Sequence, residues 1–256
     1  MSEIKQYIEK SREIIEKIAA QEAVIAQAAS LFTSTILAGR MVHVFGSGHS
    51  RIMVEEMWPR YGSFPGFNPI VELSLTFHNL VVGANGQRQA MFLENVSGLA
   101  ERILRNYQLS TEDSALVISS SGTNIVPVEI AELFQQKGIK VVSIITKSHS
   151  EASKSKRSDG KKLSDFSDIV LDTCAPIGDA MIQIENLETP VSPGSTLGGV
   201  VLINSIKAKV ASLLTKAGQP PTVLSAANKV GEQQAIALFE KAYDEHASRL
   251  SKLYQF

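Results

Sequence analysis

The chain alternates short apolar runs with amphipathic segments of helical periodicity. Five runs rich in β-branched residues predict strands, at residues 41–45, 69–73, 115–119, 140–145 and 168–172. Most of these runs are apolar throughout, which is typical of parallel strands covered on both faces. The segments between them predict helices near 50–58, 90–108, 125–137 and 149–157. This order predicts an α/β fold with three αβα layers and a doubly wound, five-stranded parallel sheet.

Helical patterns also flank this region. Apolar positions at helical spacing predict one or two helices over 3–37, and further helices near 196–216 and 229–254. A Pro- and Gly-rich stretch at 189–194 predicts a loop. Because no linker or internal repeat divides the chain, we expect one domain over 1–256. Its core is predicted over about 40–215, with helical extensions at 1–39 and 218–256.

Composition and charge narrow the class of protein. Apolar residues make up 44% of the 256 residues and the net charge is −1, which argues against a nucleic-acid or anionic-membrane surface. No run of about 18 apolar residues predicts a membrane span, and the N-terminus lacks the apolar stretch of a secretory signal. A lone Cys174 excludes an internal disulfide and a cysteine-based zinc site. We therefore expect a cytoplasmic protein without a metal or other cofactor.

Two small, hydroxyl-rich loops carry the clearest chemical signal. Residues 46–50 follow the first predicted strand and residues 119–124 follow the third, each just before a helix. Backbone N–H groups and hydroxyls converging at a helix N-terminus suit a phosphate group. If the strand order is 2-1-3-4-5, both loops lie side by side where the order reverses. The predicted ligand-binding residues are Gly46, Ser47, Gly48, Ser50, Ser119, Ser120, Ser121, Gly122, Thr123 and Asn124.

Each loop also has a purely structural interpretation. The first loop could be a tight strand-to-helix turn, because two glycines alone are weak motif material and no P-loop lysine is present. In the second loop Asn124 is a good helix N-cap without any ligand. One cap does not require five hydroxyl or amide side chains in six residues, which favours a phosphate site there.

The two loops resemble those of sugar isomerase (SIS) domain proteins, a group that includes phosphoheptose isomerases. The first loop is similar to the pattern Gly-x-Gly-x-Ser, and the second to Ser-x-Ser-Gly-x-Ser/Thr, through Gly46, Gly48, Ser50, Ser119, Ser121 and Gly122. Within these proteins, the loop at 46–50 with Glu55, Glu56 and Arg60 most resembles a bacterial group with a single SIS domain. The resemblance implies a five-stranded parallel sheet of flavodoxin-like order, a bound phosphosugar, and assembly as a homodimer or homotetramer.

The chain also departs from the phosphoheptose isomerase pattern. Asn124 stands at the last hydroxyl position of the second loop, although its amide can still bond a phosphate oxygen. No histidine occurs between residues 190 and 220, so the acid/base pair of phosphoheptose isomerases is not reproduced, and the zinc ligands of some of them are unmatched.

Several side chains are candidates for proton transfer. Adjacent helix residues diverge by about 100°, so only one of Glu55 and Glu56 can face the pocket, and we prefer Glu56 as the base. His49, inside the first loop, is predicted to contact the ligand as its acid/base partner. Solvated charge is the expectation for Glu94 and Glu101, and His78 is a further candidate after the second strand.

Other titratable residues have less specific interpretations. His43 is expected to be a core histidine and His246 an exposed one. The basic segment 148–162 predicts either a cationic lid or, more ordinarily, a solvated helix end and loop.

These observations favour a phosphosugar-binding protein, and within that class an aldose–ketose isomerase that moves a proton on a sugar or amino-sugar phosphate. Two alternatives stay open. One is a lyase similar to N-acetylmuramic acid-6-phosphate etherases, whose first loop carries a second Ser-Gly step that is missing here. The other is a non-catalytic phosphosugar sensor that acts through a partner protein.

Overall fold

A five-stranded parallel sheet forms the centre of the protein in a computed structural model that describes residues 1–76 and 86–254. Its strands are β1 (Val42–Gly46), β2 (Phe67–Ile70), β3 (Ser114–Ile118), β4 (Lys140–Ile145) and β5 (Ile169–Asp172). The order is β2-β1-β3-β4-β5 and every neighbouring pair is parallel. The predicted fold class and strand order are confirmed.

Alternate residues of the central strands fill two separate hydrophobic cores. On one face Val44, Leu116 and Ile144 point into the same cluster, and on the other Phe45 and Val117 do so. Because both faces are covered, the strands need no polar face, which explains why they appear in the sequence as continuous apolar runs.

Eleven α-helices surround the sheet among the described residues. They are α1 (Glu3–Ala19), α2 (Glu22–Leu37), α3 (Arg51–Met57), α4 (Leu73–Thr76), α5 (Gln87–Leu93), α6 (Leu99–Leu104), α7 (Ile125–Gln136), α8 (Lys147–Ala152), α9 (Ser195–Lys216), α10 (Ala227–Val230) and α11 (Glu232–Leu250). Buried side chains of α1, α2, α3 and α9 share one core with the sheet, and those of α6 and α7 share the other. The layers are therefore αβα.

Two elements are shifted from their predicted bounds, since β2 lies at Phe67–Ile70 rather than 69–73 and α8 at Lys147–Ala152 rather than 149–157. Two others differ in kind. The predicted loop at 189–194 contains β7 (Val191–Pro193), which pairs antiparallel with β6 (Ala180–Ile182) outside the main sheet. The predicted helix 90–108 is broken into α5 and α6, because Gly98 precedes α6 with a φ of +84°. That left-handed conformation suits glycine and interrupts a helix.

Helix α9 has the length and apolar composition of a membrane-spanning segment, but 44% of its most apolar window is buried within the protein. It packs against α2 and α3. Its buried Lys207 donates hydrogen bonds to the backbone oxygen of Glu56 (2.8 Å) and to the Ser63 hydroxyl (3.1 Å). Packing inside the domain therefore accounts for its apolar character.

Candidate functional site

A cavity of about 560 Å³ lies beyond the carboxyl ends of β1 and β3, where the strand order reverses. Ligands of open doubly wound sheets bind at this position. Both hydroxyl-rich loops open onto it, together with α5, the loops after β4 and β5, and the start of α9. Its polar lining includes Ser47, His49, Ser50, Glu94, Ser119, Ser120, Ser121, Asn124, His149, Thr173, Asp179, Ser195 and Thr196.

The first loop is shaped by a close approach of the backbone at Gly46. A Cβ atom there would lie 2.8 Å from the backbone oxygen of Ser50, which is too close for any other residue. Gly48 has a φ of +57° and begins a short 3₁₀ helix over Gly48–Ser50. This turn leaves the Ser47 hydroxyl facing the cavity, where it donates to Glu94 Oε2 at 2.7 Å.

The second loop leads into α7 without a conventional side-chain cap. Asn124 occupies the N-cap position with an extended backbone, but its side chain makes no capping hydrogen bond. Its Nδ2 instead donates to Glu94 Oε1 at 2.7 Å. The interpretation of Asn124 as an ordinary cap is therefore wrong, and the N-terminal end of α7 faces the cavity with its positive dipole uncompensated by that side chain.

Glu94 joins the two loops. Its carboxylate accepts one hydrogen bond from Ser47 and one from Asn124, although the two lie on different loops. Burial raises the pKa of Glu94 above its ordinary value, and this effect outweighs the Ser47 hydrogen bond and the charge of Lys156. The expectation of a solvated charge at Glu94 is wrong, because the end of α5 folds over the first loop.

A chain of hydroxyl groups connects the ends of β3, β4 and β5. The Ser120 hydroxyl lies 3.0 Å from that of Thr146, which lies 2.6 Å from that of Thr173. Thr173 also accepts from the backbone N–H of Ala175 at 3.5 Å. These bonds fix the floor of the cavity, and Ser120 and Thr173 both line it.

The third wall is the start of α9, which Asp179 caps. Its carboxylate accepts from the backbone N–H groups of Gly194 (3.0 Å) and Ser195 (2.7 Å) and from the Ser195 hydroxyl (2.8 Å). An N-terminal carboxylate of this kind satisfies donors that the helix itself cannot. Ser195 is thereby held at the edge of the cavity.

Two histidines line the same cavity. His49 is exposed in the first loop, and His149 is half-buried on α8. His149 Nδ1 accepts from the backbone N–H of Gly178 at 3.0 Å, so its neutral ring carries the proton on Nε2. His149 is not among the residues predicted from the sequence, because nothing in its local pattern distinguishes it from a surface residue.

The basic segment 148–162 is tied to the body of the protein rather than being wholly solvated. Arg157 forms ion pairs with Glu132 and Asp159, each at 2.7 Å. Lys156 donates to Asn124 Oδ1. The segment thus places one positive charge directly beside the second loop.

The structure brings together most of the predicted site residues. Those that line the cavity are Ser47, Gly48, His49, Ser50, Ser119, Ser120, Ser121 and Asn124. Gly46, Gly122 and Thr123 instead shape the loops from behind. Gly122 has a φ of +62°, and the buried Thr123 donates its hydroxyl proton to Ser121 Oγ at 3.0 Å.

Glu56 is not brought to this cavity, contrary to expectation. It lies on a separate groove with Glu55, Arg60 and Tyr61, because that face of α3 packs towards α9. Its carboxylate forms an ion pair with Arg60 and accepts from Asn204 at 2.8 Å. Burial favours the neutral acid, but these partners and Lys207 outweigh it and lower the pKa of Glu56.

His43 and His246 lie away from the cavity. His43 is a core residue, as predicted, with Nδ1 3.0 Å from Asn68 Nδ2 and Nε2 3.3 Å from Asp113. His246 is half-buried against Trp58 rather than exposed, with ring centroids 5.2 Å apart. His78 lies outside the described residues.

Comparison with known proteins identifies the family of the chain. The sequence model of the SIS domain matches residues 6–146. A UPF0309 protein from Thermoanaerobacter pseudethanolicus is 34% identical over 92% of this chain and 96% of its own length. Another from Halalkalibacterium halodurans is 33% identical over 82% of this chain and 85% of its own.

Two solved structures share the fold. A phosphoheptose isomerase from Francisella tularensis has a TM-score of 0.52 and 16% identity, covering 81% of this chain and 95% of the other. Phosphoheptose isomerase GmhA from Neisseria gonorrhoeae has a TM-score of 0.51 and 13% identity, covering 82% and 97%. Because the family model matches more than half of the chain and the two relatives are 33–34% identical to it, the chain belongs to the SIS domain family and, within it, to the UPF0309 proteins.

Proposed function

We propose that this protein binds a phosphorylated sugar in the 560 Å³ cavity and interconverts its aldose and ketose forms by proton transfer. The observation that carries the proposal is the meeting of two hydroxyl-bearing loops at one half-buried carboxylate, Glu94. Such a site offers neutral donors for an anion and a base for a neighbouring carbon atom.

The second loop is the proposed phosphate anchor. Ser119, Ser121 and Asn124 surround the start of α7, where a helix of 12 residues directs its positive end into the cavity. Lys156 adds a full positive charge next to Asn124. Hydrogen bonds to a charged phosphate are stronger than bonds between neutral groups, so a few such donors suffice to hold the ligand.

Glu94 is the proposed general base, and His49 the group that shuttles the hydroxyl proton. A base works best when its pKa lies near the working pH, and burial shifts the pKa of Glu94 in that direction. The lowered pKa of Glu56 and its ion pair with Arg60 make it a poorer base. Glu94 also lies on the cavity wall, whereas Glu56 does not.

Binding is tested by calorimetry with hexose, amino-sugar and heptose phosphates and with the same sugars lacking phosphate. Ser121→Ala is expected to weaken phosphosugar binding by about 1–3 kcal/mol, the effect of losing a hydrogen bond to a charged group. Ser30→Ala, on the exposed side of α2, is the matched control. Unchanged affinity in Ser121→Ala, or equal binding of phosphate-free sugars, contradicts the phosphate anchor.

Turnover is tested by exchange of solvent deuterium into C2 of the sugar that binds most tightly. Glu94→Gln should abolish exchange while Glu56→Gln retains it. Loss of exchange only in Glu56→Gln would instead support the assignment made from the sequence. Tight binding without any exchange in the wild-type protein would support a sensor.

We further infer a homodimer. An apolar cluster on the surface contains Tyr61, Phe239 and Tyr243, whose rings lie 5.8–5.9 Å apart in succession, and Ile236 beside them is 56% exposed. Contiguous apolar surface of this kind is typical of protein interfaces. Analytical ultracentrifugation of the wild type and of Ile236→Glu tests this, and a monomeric wild type contradicts it.

A further inference from the structure

A second cavity, of about 610 Å³, adjoins the one already described. It lies beyond the carboxyl ends of β4 and β5, against the side of α1. Three lysines from two elements line it, Lys10 and Lys17 from α1 and Lys147 from the start of α8. No residue of the proposed isomerase site is assigned to it, and it lies on the side of the sheet edge away from the first loop.

Within the described residues, two of these three lysines have ammonium groups without a hydrogen-bond or ion-pair partner. Lys10 is held by the backbone oxygen of Met181, to which its Nζ donates at 2.6 Å. Within the described residues, the ammonium groups of Lys17 and Lys147 form neither a hydrogen bond nor an ion pair. Both lie close enough to Cys174 to act on its thiol, opposing the burial that raises its pKa to about 11. The two cations therefore face the same small region.

The carboxylates in the second cavity do not neutralise these cations. Asp172 Oδ1 accepts from the backbone N–H groups of Lys147 and Cys174, both at 2.9 Å, and forms no ion pair within the described residues. Glu13 is exposed at the rim. Three ammonium groups thus face two carboxylates, and the balance favours an anion.

The two cavities are separated by a single loop, which contains Pro176. Pro176 lines both. Ser148 faces the second cavity and its neighbour His149 the first, and Ile177 and Gly178 divide in the same way. Consecutive Cα atoms are about 3.8 Å apart, so the two cavities are separated here by the width of one loop, and a ligand that reaches from one to the other must pass over Pro176.

We propose that the two cavities form one elongated site for a sugar phosphate that carries a second anionic group, a carboxylate or a further phosphate, on a substituent that leaves C1 and C2 free to interconvert. The first phosphate binds the loops after β1 and β3, and the second anion binds between Lys17 and Lys147. The proposal rests on the proposed function, because it takes the first cavity as the phosphosugar site, and it narrows the substrate class to doubly anionic sugars.

Paired ligands test the second anion at constant ionic strength. Calorimetry compares 6-phosphogluconate with glucose 6-phosphate for a carboxylate, and fructose 1,6-bisphosphate with fructose 6-phosphate for a phosphate. These ligands probe binding alone, because an anionic group on C1 blocks isomerisation. We expect the doubly anionic member of at least one pair to bind 10-fold or more tightly, on the order of one charge-assisted contact. The pair that shows the preference identifies the second group.

The double variant Lys17→Ala/Lys147→Ala should abolish that preference and leave the affinity for the singly anionic sugar unchanged. The control is Lys5→Ala/Lys229→Ala, which makes the same change in net charge at exposed positions outside both cavities. Equal affinities within both pairs, or a preference that survives in the double variant, overturns the elongated site alone. If no sugar phosphate binds at all, the proposed function fails as well.

Discussion

Replacing Glu94 by glutamine should strengthen anion binding while abolishing proton transfer. Asn124 has two N–H bonds on its amide, and one of them donates to Glu94 at 2.7 Å. If a bound anion accepts the other at a similar length, its oxygen lies within roughly 5.4 Å of the carboxylate. At an effective dielectric constant of about 20, two unit charges at that separation repel by about 3 kcal/mol.

Glutamine removes this repulsion and keeps the local hydrogen bonds. Its amide oxygen can accept from Asn124, and its amide N–H can donate to the Ser47 oxygen, because a hydroxyl both donates and accepts. Lys156 attracts the anion in both forms, so its charge cancels from the comparison. A repulsion of about 3 kcal/mol corresponds to Glu94→Gln binding an anion roughly 100-fold more tightly than the wild type.

Sulfate is the appropriate probe, because it stays dianionic while Glu94 titrates. Calorimetry at constant ionic strength should show the full difference near about pH 8 and its disappearance towards about pH 4, where the wild-type carboxyl group becomes protonated. Glu101→Gln, an exposed glutamate seven residues away, is the control. Equal sulfate affinity of a folded Glu94→Gln and the wild type at high pH would refute this placement of the anion.

Glu94→Gln should also change the stability of the fold, by an amount that depends on pH. Burial raises the pKa of Glu94 in the folded state, so folding favours its protonated form. Stability from that proton is present in acid and is lost as the pH rises through the folded-state pKa. Glu94→Gln should therefore raise the free energy of unfolding at high pH and change it little in acid, which urea unfolding at both pH values measures.

Three further predictions concern the framework of the site. Gly46→Ala places a Cβ atom within 2.8 Å of the Ser50 backbone. It should therefore destabilise the fold by about 1–3 kcal/mol and weaken phosphosugar binding. An unchanged melting temperature and an unchanged affinity would contradict the close approach. Hydrogen bonds from His43 and Arg40 lower the pKa of Asp113 to about 2 despite its burial. The ionised Asp113 therefore stabilises the fold above its unfolded pKa, and this stability is lost as the pH falls towards 2. Asp113→Asn should therefore remove about 2–3 kcal/mol at neutral pH and flatten the acid limb of the unfolding profile. Asp179→Ala should cost about 1–2 kcal/mol through loss of the α9 cap, and Asp179→Asn less, because asparagine tolerates the positive φ of 71° at this position; equal losses in the two variants would count against the cap.

The sheet could be predicted from the sequence because its signal is local. Most of the strands are largely apolar runs, although β2 is interrupted by Asn68, and the two hydroxyl-rich loops identify which strand ends meet once the order is assumed. The β6–β7 hairpin was missed because each strand has only three residues and the second contains Pro193. Runs that short carry no periodicity.

Which carboxylate lies at the cavity could not be predicted, because that depends on packing between distant elements. Met53 lines the cavity, as the apolar pattern of α3 indicates, but Glu56 lies on the face that packs towards α9. Glu94 looks like a surface residue in a broken helix, and only the position of α5 over the first loop buries it. The spacing of residues along the sequence indicates neither the position of Glu56 against α9 nor that of Glu94 over the first loop.

The chain of hydroxyl groups from Thr173 to Ser120 gives the site a preference for an anionic ligand that the types of residue lining the cavity do not give by themselves. The Ala175 N–H donates to Thr173 from behind the series. When each hydroxyl then donates its hydrogen to the next, Ser120 presents its hydrogen rather than lone pairs to the cavity. Such a series strengthens when its last acceptor is negatively charged, since every member polarises the next. A neutral ester or alcohol of the same shape would gain little from it, so the floor of this cavity discriminates by ionisation state before any side chain at the mouth takes part.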